Sequence, residues 1–269
     1  MRNIKSIIAY DGTDFSGWQS QPGQVTVQGT VADVLEKLTQ QRVAIHAAGR
    51  TDAGVHAAGQ VMNFKTESAM SVHEFQRAFN ALLPPTIRVN AVEEASLDFH
   101  SRWDAVAKTY RYRIFRGRVV PPFIWKYVLQ DFSEMNFDAM AEAAGLFSGE
   151  HDFTSFAAST GSDEEDAERI TVRTIFHSRL LRVPVNANAL DAEEWIYEVR
   201  GRSFLRNMVR KIVGTLLEVG HGKLAASDIP ELYTLRDRTK SGPTVPPQGL
   251  RLESVEYAGA ETSNSSSGE

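Results

Sequence analysis

One stretch decides how the first half of the chain folds: Ser71-Val72-His73-Glu74-Phe75-Gln76-Arg77-Ala78-Phe79-Asn80-Ala81-Leu82. Ser71 and Glu74 have the spacing of a capping box, in which each side chain bonds the backbone N–H of the other residue. The apolar residues that follow recur at helical spacing, and Pro84-Pro85 then stops the helix. The stretch therefore predicts an amphipathic helix with one apolar face: Val72, Phe75, Phe79 and Leu82.

The segments around this helix complete a recognisable unit. Four of them alternate or carry β-branched residues and predict strands: Lys5–Tyr10, Arg42–Ala48, Gln60–Lys65 and Ile87–Glu94. Thr26 caps an earlier helix, whose apolar residues also have helical spacing: Val27, Val31, Val34, Leu35 and Leu38. Residues 1–104 thus have the order β-α-β-β-α-β, which is typical of a ferredoxin-like half.

A second half, residues 105–257, repeats roughly the same order without any repeat in the sequence itself. Its predicted strands are Lys108–Phe115, Arg173–Val183, Trp195–Arg202 and Leu250–Tyr257. Its predicted helices are Phe137–Phe147, Leu205–Val219 and a short helix from Ser227 to Leu235. We expect an α+β fold in which two ferredoxin-like halves form one continuous, mostly antiparallel sheet with helices on one side. Residues 258–269 are rich in Ser, Gly and acid, which predicts a disordered tail.

Composition excludes several classes of site and leaves others open. The 269 residues include no cysteine, so disulfides, thiol catalysis and thiolate zinc sites are excluded. The seven histidines are scattered, with no H-x-H or H-x-x-x-H pair, so we expect no metal site. No apolar run approaches the roughly 18–20 residues that cross a bilayer, and the N-terminus lacks a signal-peptide pattern. A cytoplasmic location is the expectation.

Charge gives a mixed indication about nucleic-acid binding. The formal net charge of −5 argues against it, because phosphate contacts usually require excess Lys and Arg. The charge is unevenly placed, however, with an acidic loop at 163–168. Basic residues cluster in two other stretches: Lys108, Arg111, Arg113, Arg116 and Arg118, then Arg200, Arg202, Arg206, Arg210 and Lys211. A local basic surface on an acidic protein therefore remains possible.

A glycine-flanked acid stands between two predicted strands, in the run Gly49-Arg50-Thr51-Asp52-Ala53-Gly54-Val55-His56. Gly49 and Gly54 allow a tight turn or a close approach to a ligand. A loop carboxylate in such a setting is a candidate functional group. The alternative is structural: Asp52 bonds its own turn and Arg50 is a surface charge. Local chemistry leaves both interpretations open.

The run resembles the signature loop of the TruA family of tRNA pseudouridine synthases, and the resemblance extends in order along most of the chain. The further segments that carry it are Tyr10-Asp11-Gly12-Thr13, Phe15, Gly17-Trp18-Gln19, Gln21, Val27-Gln28-Gly29, Phe99-His100-Ser101-Arg102, Lys108-Thr109-Tyr110-Arg111-Tyr112, His151–Phe156, Thr171–Ile175, Phe204, Met208-Val209-Arg210, Ile212-Val213-Gly214 and Gly249-Leu250.

The resemblance implies the reaction and the residues that perform it. Uridine would become pseudouridine in the anticodon stem-loop of tRNA, at positions 38, 39 and 40, with Asp52 as the catalytic carboxylate. Arg210 would pair with Asp52, Tyr110 would stack on the base, Arg50 would assist flipping, and Leu250 would pack against the base. The family uses no cofactor or metal, binds tRNA in a central cleft and is homodimeric. Whether Asp52 acts as a nucleophile at C1′ or as a base stays open.

Three other interpretations bear on function. Asp11 after a strand and before Gly-Thr is similar to the nucleophile loop of haloacid-dehalogenase-like phosphatases, but Ala9 replaces the acid expected two residues earlier, so we expect Asp11 to stabilise its turn. A noncatalytic RNA-binding module would have lost Asp52, Tyr110 or Arg210, and all three are present. Sequence alone distinguishes poorly between this function and that of a relative with the same chemistry and a different RNA target.

We also expect phosphate contacts from a group of basic residues: Lys108, Arg111, Arg113, Arg116, Arg202 and Arg206.

Overall fold

A computed structural model describes residues 1–159, 170–185 and 192–259. The acidic loop at 163–168 and residues 260–269 of the predicted disordered tail lie outside the described residues. So do residues 186–191 of the turn between the strands predicted at Arg173–Val183 and Trp195–Arg202.

Strands and helices alternate along the described chain. The strands are β1 Arg2–Tyr10, β2 Ile45–Ala47, β3 His56–Thr66, β4 Ile87–Ala95, β5 Ala105–Phe115, β6 Leu129–Gln130, β7 Gly149–Asp152, β8 Val172–Pro184, β9 Glu193–Gly201 and β10 Leu250–Tyr257. The α-helices are α1 Val27–Thr39, α2 Val72–Leu82, α3 Phe137–Gly145, α4 Met208–Gly220 and α5 Ile229–Leu235. Across these residues, no helix is long and apolar enough to cross a membrane.

All the strands belong to one sheet of order β4-β1-β3-β10-β5-β9-β8-β7, with β2 paired to β3 and β6 paired to β5. The order β4-β1-β3-β2 is that of a ferredoxin-like unit, and β10-β5-β9-β8 repeats it with strands from the second half. The described pairings are antiparallel except for β3 with β10 and β5 with β6. The predicted α+β class and the continuous, mostly antiparallel sheet are confirmed.

The last strand, β10, joins the two halves of the sheet. On one edge it is parallel to the start of β3, with Leu252 opposite Ala57. On the other edge it is antiparallel to β5, with Leu252 opposite Tyr110 and Leu250 opposite Tyr112. The C-terminal strand therefore places the start of β3, directly after the loop that carries Asp52, two strand positions from Tyr110.

The two faces of the sheet differ in chemistry because side chains alternate along each strand. One face carries apolar and aromatic residues that pack with the helices in one continuous core, for example Ile8 with Val31 in the first half and Tyr197 with Ile212 in the second. The opposite face of β5 and β9 carries charged residues such as Arg111 and Glu198. The helices thus lie on one side, as expected.

Several element boundaries differ from the sequence prediction. The helix predicted from Leu205 begins at Met208, because Asn207 has φ 60°, a left-handed conformation that interrupts helical geometry. The strand predicted over Arg42–Ala48 is reduced to the three residues of β2, which pair only with β3. The short strands β6 and β7 were not predicted, since they have too few residues to show a period.

The capping box of α2 gives a test of local stability. The Ser71 hydroxyl accepts from the Glu74 backbone N–H at 3.2 Å, and the Glu74 carboxylate accepts from the Ser71 N–H at 2.7 Å. We expect Ser71→Ala to lower the free energy of unfolding in urea by about 1 kcal/mol, because one N–H loses its partner. Ser20→Ala is the control, since the exposed Ser20 hydroxyl bonds no described residue. Equal stability of the two variants would show that the box contributes nothing.

Candidate active site

The loop between β2 and β3 carries Asp52 and is held by the connection between β1 and α1. Backbone bonds run from the Trp18 N–H to the Thr51 carbonyl at 3.0 Å and from the Gly54 N–H to the Phe15 carbonyl at 3.3 Å. Gly17 has φ +91°, and a Cβ there would lie 2.8 Å from the Thr51 oxygen. The two loops are therefore packed backbone against backbone.

Buried polar side chains also hold this loop in place. The Tyr10 hydroxyl lies 2.8 Å from the Thr51 hydroxyl, and Gln60 Nε2 donates to the Gly49 carbonyl at 2.8 Å. Burial raises the pKa of Tyr10 to about 12, against the lowering effect of its bonds to Thr51 and Gln60, so the phenol stays protonated. These contacts fix the residues on both sides of Arg50, and sequence reasoning did not identify them because Tyr10 and Gln60 look like ordinary strand residues.

The Asp52 carboxylate is not used by its own turn. The turn is closed by the backbone, with the Val55 N–H donating to the Asp52 carbonyl at 3.1 Å. The carboxylate accepts no hydrogen bond from any described residue, and 32% of the side chain is exposed. The structural interpretation of Asp52 as a turn-bonding residue is therefore wrong. Its one close charged neighbour in the described chain is Arg210, with Nη1 3.5 Å from Oδ2.

Arg210 reaches Asp52 from the other half of the sheet. It lies in the first turn of α4, where the left-handed Asn207 brings its amide oxygen 3.0 Å from Arg210 Nη1. Arg210 Nε donates to the Val245 carbonyl at 2.8 Å, and only 15% of the side chain is exposed. Two donor groups are thus fixed by neutral oxygens, so the guanidinium is oriented while its charge is left for Asp52.

Tyr110 and Leu250 lie on the helix-side face near this pair. The Tyr110 ring meets Phe204 edge to face, with ring centroids 5.1 Å apart, and its hydroxyl bonds no described residue. Burial, then the charges of Tyr10 and Asp52, raise the pKa of Tyr110, so the hydroxyl is neutral. Leu250 is 6% exposed and lies opposite Tyr112 in the sheet. Tyr112 is the next residue after Tyr110 on the same face of β5.

Two further cations lie beside the loop. Arg50 is exposed and makes no ion pair with a described residue. Lys108, on the same face of β5 as Tyr110, lies against Gly49: a Cβ on Gly49 would be 3.7 Å from both Cε and Nζ of the lysine. Burial, then the charge of Arg102, lower the pKa of Lys108 to about 8. Lys108, one of the residues expected to contact phosphates, therefore lies beside the loop that carries Asp52.

The arginines on the opposite face are neutralised. Arg111 pairs with Glu198 at 2.7 Å, and Arg113 pairs with Glu194 through two bonds of 2.8 and 2.7 Å. Burial acts to raise the pKa of Glu198, but hydrogen bonds from Arg111 and Arg179 outweigh it and hold the pKa below its ordinary value. The Glu198 carboxylate therefore stays charged, and the two glutamates occupy the guanidinium groups of Arg111 and Arg113.

This pairing corrects part of the sequence prediction about phosphate contacts. Arg111 and Arg113 face away from Tyr110 and are bound by glutamates, and Arg116 pairs with Asp131 at 3.4 Å. By contrast, Arg202 and Arg206 are exposed and pair with no described residue. Arg202 and Arg206 are therefore available to a phosphate, whereas Arg111, Arg113 and Arg116 are already bound by carboxylates.

Asp11 stabilises its turn, as expected. Its carboxylate accepts from the Thr13 N–H at 3.0 Å and the Thr13 hydroxyl at 2.5 Å, and the Tyr127 hydroxyl donates to its other oxygen at 2.9 Å. His56 Nδ1 accepts from the Gly12 N–H at 3.0 Å, which ties the start of β3 to the same turn. Over the described ranges, no group of three or more acidic or histidine side chains is placed to hold a metal ion.

The helix-side arrangement can therefore supply three chemical functions. Asp52 offers a carboxylate with free oxygen atoms, Arg210 keeps a positive charge beside it, and Tyr110 presents a neutral aromatic surface and hydroxyl. Arg50 and Lys108 add unneutralised positive charge at the mouth of the site. Such a set suits an anionic substrate that carries a planar ring.

Comparison with known proteins shows which family the chain resembles. The family model described as "tRNA pseudouridine synthase" matches residues 7–104 and 143–258. A tRNA pseudouridine synthase A from Solibacter usitatus is 47% identical over 257 residues, which are 96% of this chain and 100% of that protein. A tRNA pseudouridine synthase A from Geobacillus kaustophilus is 44% identical, over 95% of this chain and 95% of that protein. A tRNA pseudouridine synthase A 1 from Desulfotalea psychrophila is 41% identical, over 96% of this chain and 100% of that protein.

The contact between the two loops can be tested at Gly17. Ala at Gly17 meets both a positive φ and the Thr51 oxygen, whereas Ala at Gly23 meets the positive φ of +73° with nothing within 4 Å. We expect Gly17→Ala to lower the free energy of unfolding by about 1–3 kcal/mol more than Gly23→Ala does. It should also speed amide hydrogen exchange at Val55. If both variants lose the same stability, the packing against Thr51 does not constrain the loop.

Proposed function

Because the chain belongs to the tRNA pseudouridine synthase family, we propose that it isomerises uridine to pseudouridine in tRNA with Asp52 as its catalytic carboxylate. One observation carries this assignment of Asp52. The carboxylate is free of hydrogen bonds from described residues, half-buried, and 3.5 Å from the guanidinium of Arg210, which comes from the other half of the sheet. A structural acid would be expected to bond its neighbours.

The reaction asks little beyond one carboxylate. The bond between ribose C1′ and uracil N1 breaks, the base rotates, and a bond forms between C1′ and C5. The proton on C5 is then lost and N1 gains one, so no atom is added or removed overall. Asp52 can attack C1′ as a nucleophile, as carboxylates do in retaining glycosidases, or act as a base that helps expel the uracil. Both routes need an ionised carboxylate, and Arg210 supplies a positive charge 3.5 Å from it.

The remaining residues would position the base. A uridine in a stem-loop must leave its stack to be reached, and the flipped base needs a surface to rest on. Tyr110 supplies this surface and a neutral hydroxyl, while Leu250 closes the apolar side of the same pocket. The exposed Arg50 lies two residues from Asp52, where it can occupy the place that the flipped base leaves.

The substrate would be the anticodon stem-loop of tRNA, with positions 38, 39 and 40 as target uridines. Support comes from Arg50 and Lys108, which lie in and beside the Asp52 loop and form no ion pair with a described residue. RNA stems are bound largely through phosphates and shape, so such cations can contact the backbone. The tRNA would therefore lie in a central cleft on the helix side of the sheet, in a cytoplasmic enzyme. A noncatalytic RNA-binding module would keep the cations but would have no use for a free Asp52 carboxylate beside Arg210.

The enzyme would act as a homodimer. The segment between β5 and α3 carries a group of exposed apolar side chains, Val119, Phe123, Trp125 and Phe132, of which Phe123 is 88% exposed. An exposed apolar group of this size marks interaction sites more often than open surface. A second copy of the chain is the occupant that the family resemblance favours.

Asp52→Asn tests the catalytic assignment. The amide keeps the shape of the carboxylate but cannot attack C1′ or accept a proton, so we expect pseudouridine formation on an unmodified tRNA transcript to fall at least about 10³-fold. Asp14→Asn is the control, because Asp14 is an exposed acid in the neighbouring β1–α1 loop. Base-specific chemical labelling of the RNA gives both rate and position. Full activity of the Asp52 variant would refute its role, and wild type that modifies no anticodon arm would refute the function.

The homodimer is tested by mass. We expect wild type to have twice the chain mass in light scattering, and Phe123→Ala combined with Trp125→Ala to shift it toward the monomer, because the apolar contact is lost. Leu82→Ala is the control, since Leu82 is 51% exposed on α2, far along the chain from this segment. A monomeric wild type, or a double variant that stays dimeric at low micromolar concentration, contradicts the proposal.

A further inference from the structure

We propose that Arg102, Trp103 and Lys108 form a second RNA subsite, which binds one unpaired nucleotide of the tRNA next to the target uridine. Trp103 would stack on its base, and Arg102 and Lys108 would bind its phosphate. The subsite rests on the proposed function for its substrate, but it is a different place from the pocket of Asp52, Arg210 and Tyr110.

The turn before β5 is rigid, and it presents Trp103 to solvent. The His100 N–H donates to Asp104 at 2.8 Å, and His100 Nδ1 accepts from the Arg102 N–H at 3.1 Å. The Ser101 N–H donates to the Asn63 side chain at 2.9 Å, which anchors the turn to β3. Trp103 is nevertheless 70% exposed. The turn therefore holds an exposed aromatic ring in a fixed position, on which an unpaired base can stack.

The surroundings of the ring are those of a base-stacking platform. The Arg102 guanidinium lies over the Trp103 ring at 4.7 Å from its centroid, and the His100 ring lies 5.6 Å away on the same turn. His46 of β2 continues the row at 4.5 Å from His100. Burial, then the charge of His46, lower the pKa of His100, so its ring is neutral near pH 7. Aromatic rings and arginine planes are the side chains on which unpaired RNA bases stack.

The platform leads directly to the catalytic loop. Three residues after His46 the chain reaches Gly49, and Lys108 packs against Gly49 on the side of Tyr110. The positive charge of Arg102 contributes to the lowered pKa of Lys108, the cation that packs against Gly49. A strand of RNA that places a uridine over Asp52 therefore has its neighbouring phosphate within reach of these cations.

The two cations of this subsite, Arg102 and Lys108, have no anionic partner among the described residues. Within the described residues, Arg102 and Lys108 form no ion pair and no hydrogen bond through their side-chain nitrogens. The contrast with the other face is direct: Arg200 also lies over an aromatic ring, that of Phe176 at 4.9 Å, but it is neutralised by Glu256 through two bonds. A phosphate would supply the missing anion at Arg102 and Lys108.

Trp103 and Phe176 each lie under an arginine, so they provide a matched pair for the experiment. Binding of an unmodified tRNA transcript is measured at several salt concentrations for wild type, Trp103→Ala, Trp103→Phe and Phe176→Ala. We expect Trp103→Ala to weaken binding about tenfold, Trp103→Phe to restore most of the loss, and Phe176→Ala to bind as wild type does. Tenfold weaker binding by Phe176→Ala as well would show a general effect of aromatic removal and overturn the assignment.

The phosphate contact is tested by the salt dependence. The slope of log affinity against log salt should be shallower by about 0.7–0.9 in Lys108→Met, which corresponds to one lost phosphate contact. Lys65→Met is the control, because Lys65 is an exposed strand lysine of β3. Unchanged affinity in Trp103→Ala together with an unchanged slope in Lys108→Met overturns the subsite, even when wild type makes pseudouridine. A wild type that makes none, with both binding effects present, overturns the proposed function and leaves the subsite standing.

Discussion

The site depends on the position of one strand, β10, between β3 and β5. Its parallel pairing with the start of β3 and its antiparallel pairing with β5 make one sheet from two ferredoxin-like halves. The segment before β10 contacts both parts of the site. The Val245 carbonyl accepts a hydrogen bond from Arg210 of α4, and Pro247 lies against Gly54 in the loop that carries Asp52. This segment therefore fixes Arg210 and Asp52 relative to each other.

The same sheet explains how an acidic protein can present a positive surface. The net charge of −5 is an average over two faces with different pairing. On the side away from the helices, glutamates bind the arginines of neighbouring strands and leave little field for a phosphate. On the helix side, Arg210 pairs only with Asp52, and Arg50 and Lys108, beside the loop that carries Asp52, form no ion pair with a described residue. Net charge is thus a poor guide here, because the distribution of partners decides where an anion can bind.

Local patterns in the sequence were sufficient for most of the elements, and the family resemblance supplied the candidate residues, but neither showed how these residues pair. The capping box at Ser71 and Glu74 and the apolar repeat of α2 are local, so the helix was predicted with its observed bounds. The pairing of Arg111 with Glu198 joins residues 87 positions apart, and only the register of β5 with β9 brings them together. The position of β10 is likewise set by long-range pairing, which no periodicity reveals. Strand alternation therefore places Arg111 on the face opposite Tyr110, but it does not show that a glutamate already binds this arginine.

Arginine footprinting shows whether tRNA reaches Asp52 from the helix side of the sheet, as we propose. The protein is treated with an arginine-modifying reagent with and without saturating tRNA, and each site is quantified by mass spectrometry. We expect tRNA to protect arginines that bind no carboxylate in the described chain: Arg50, Arg102 and Arg206. We expect no protection for the glutamate-bound arginines: Arg111, Arg113, Arg200 and Arg251, the last of which pairs with Glu253 at 2.8 Å. Protection of the second group with continued modification of the first would contradict an approach to Asp52 from the helix side.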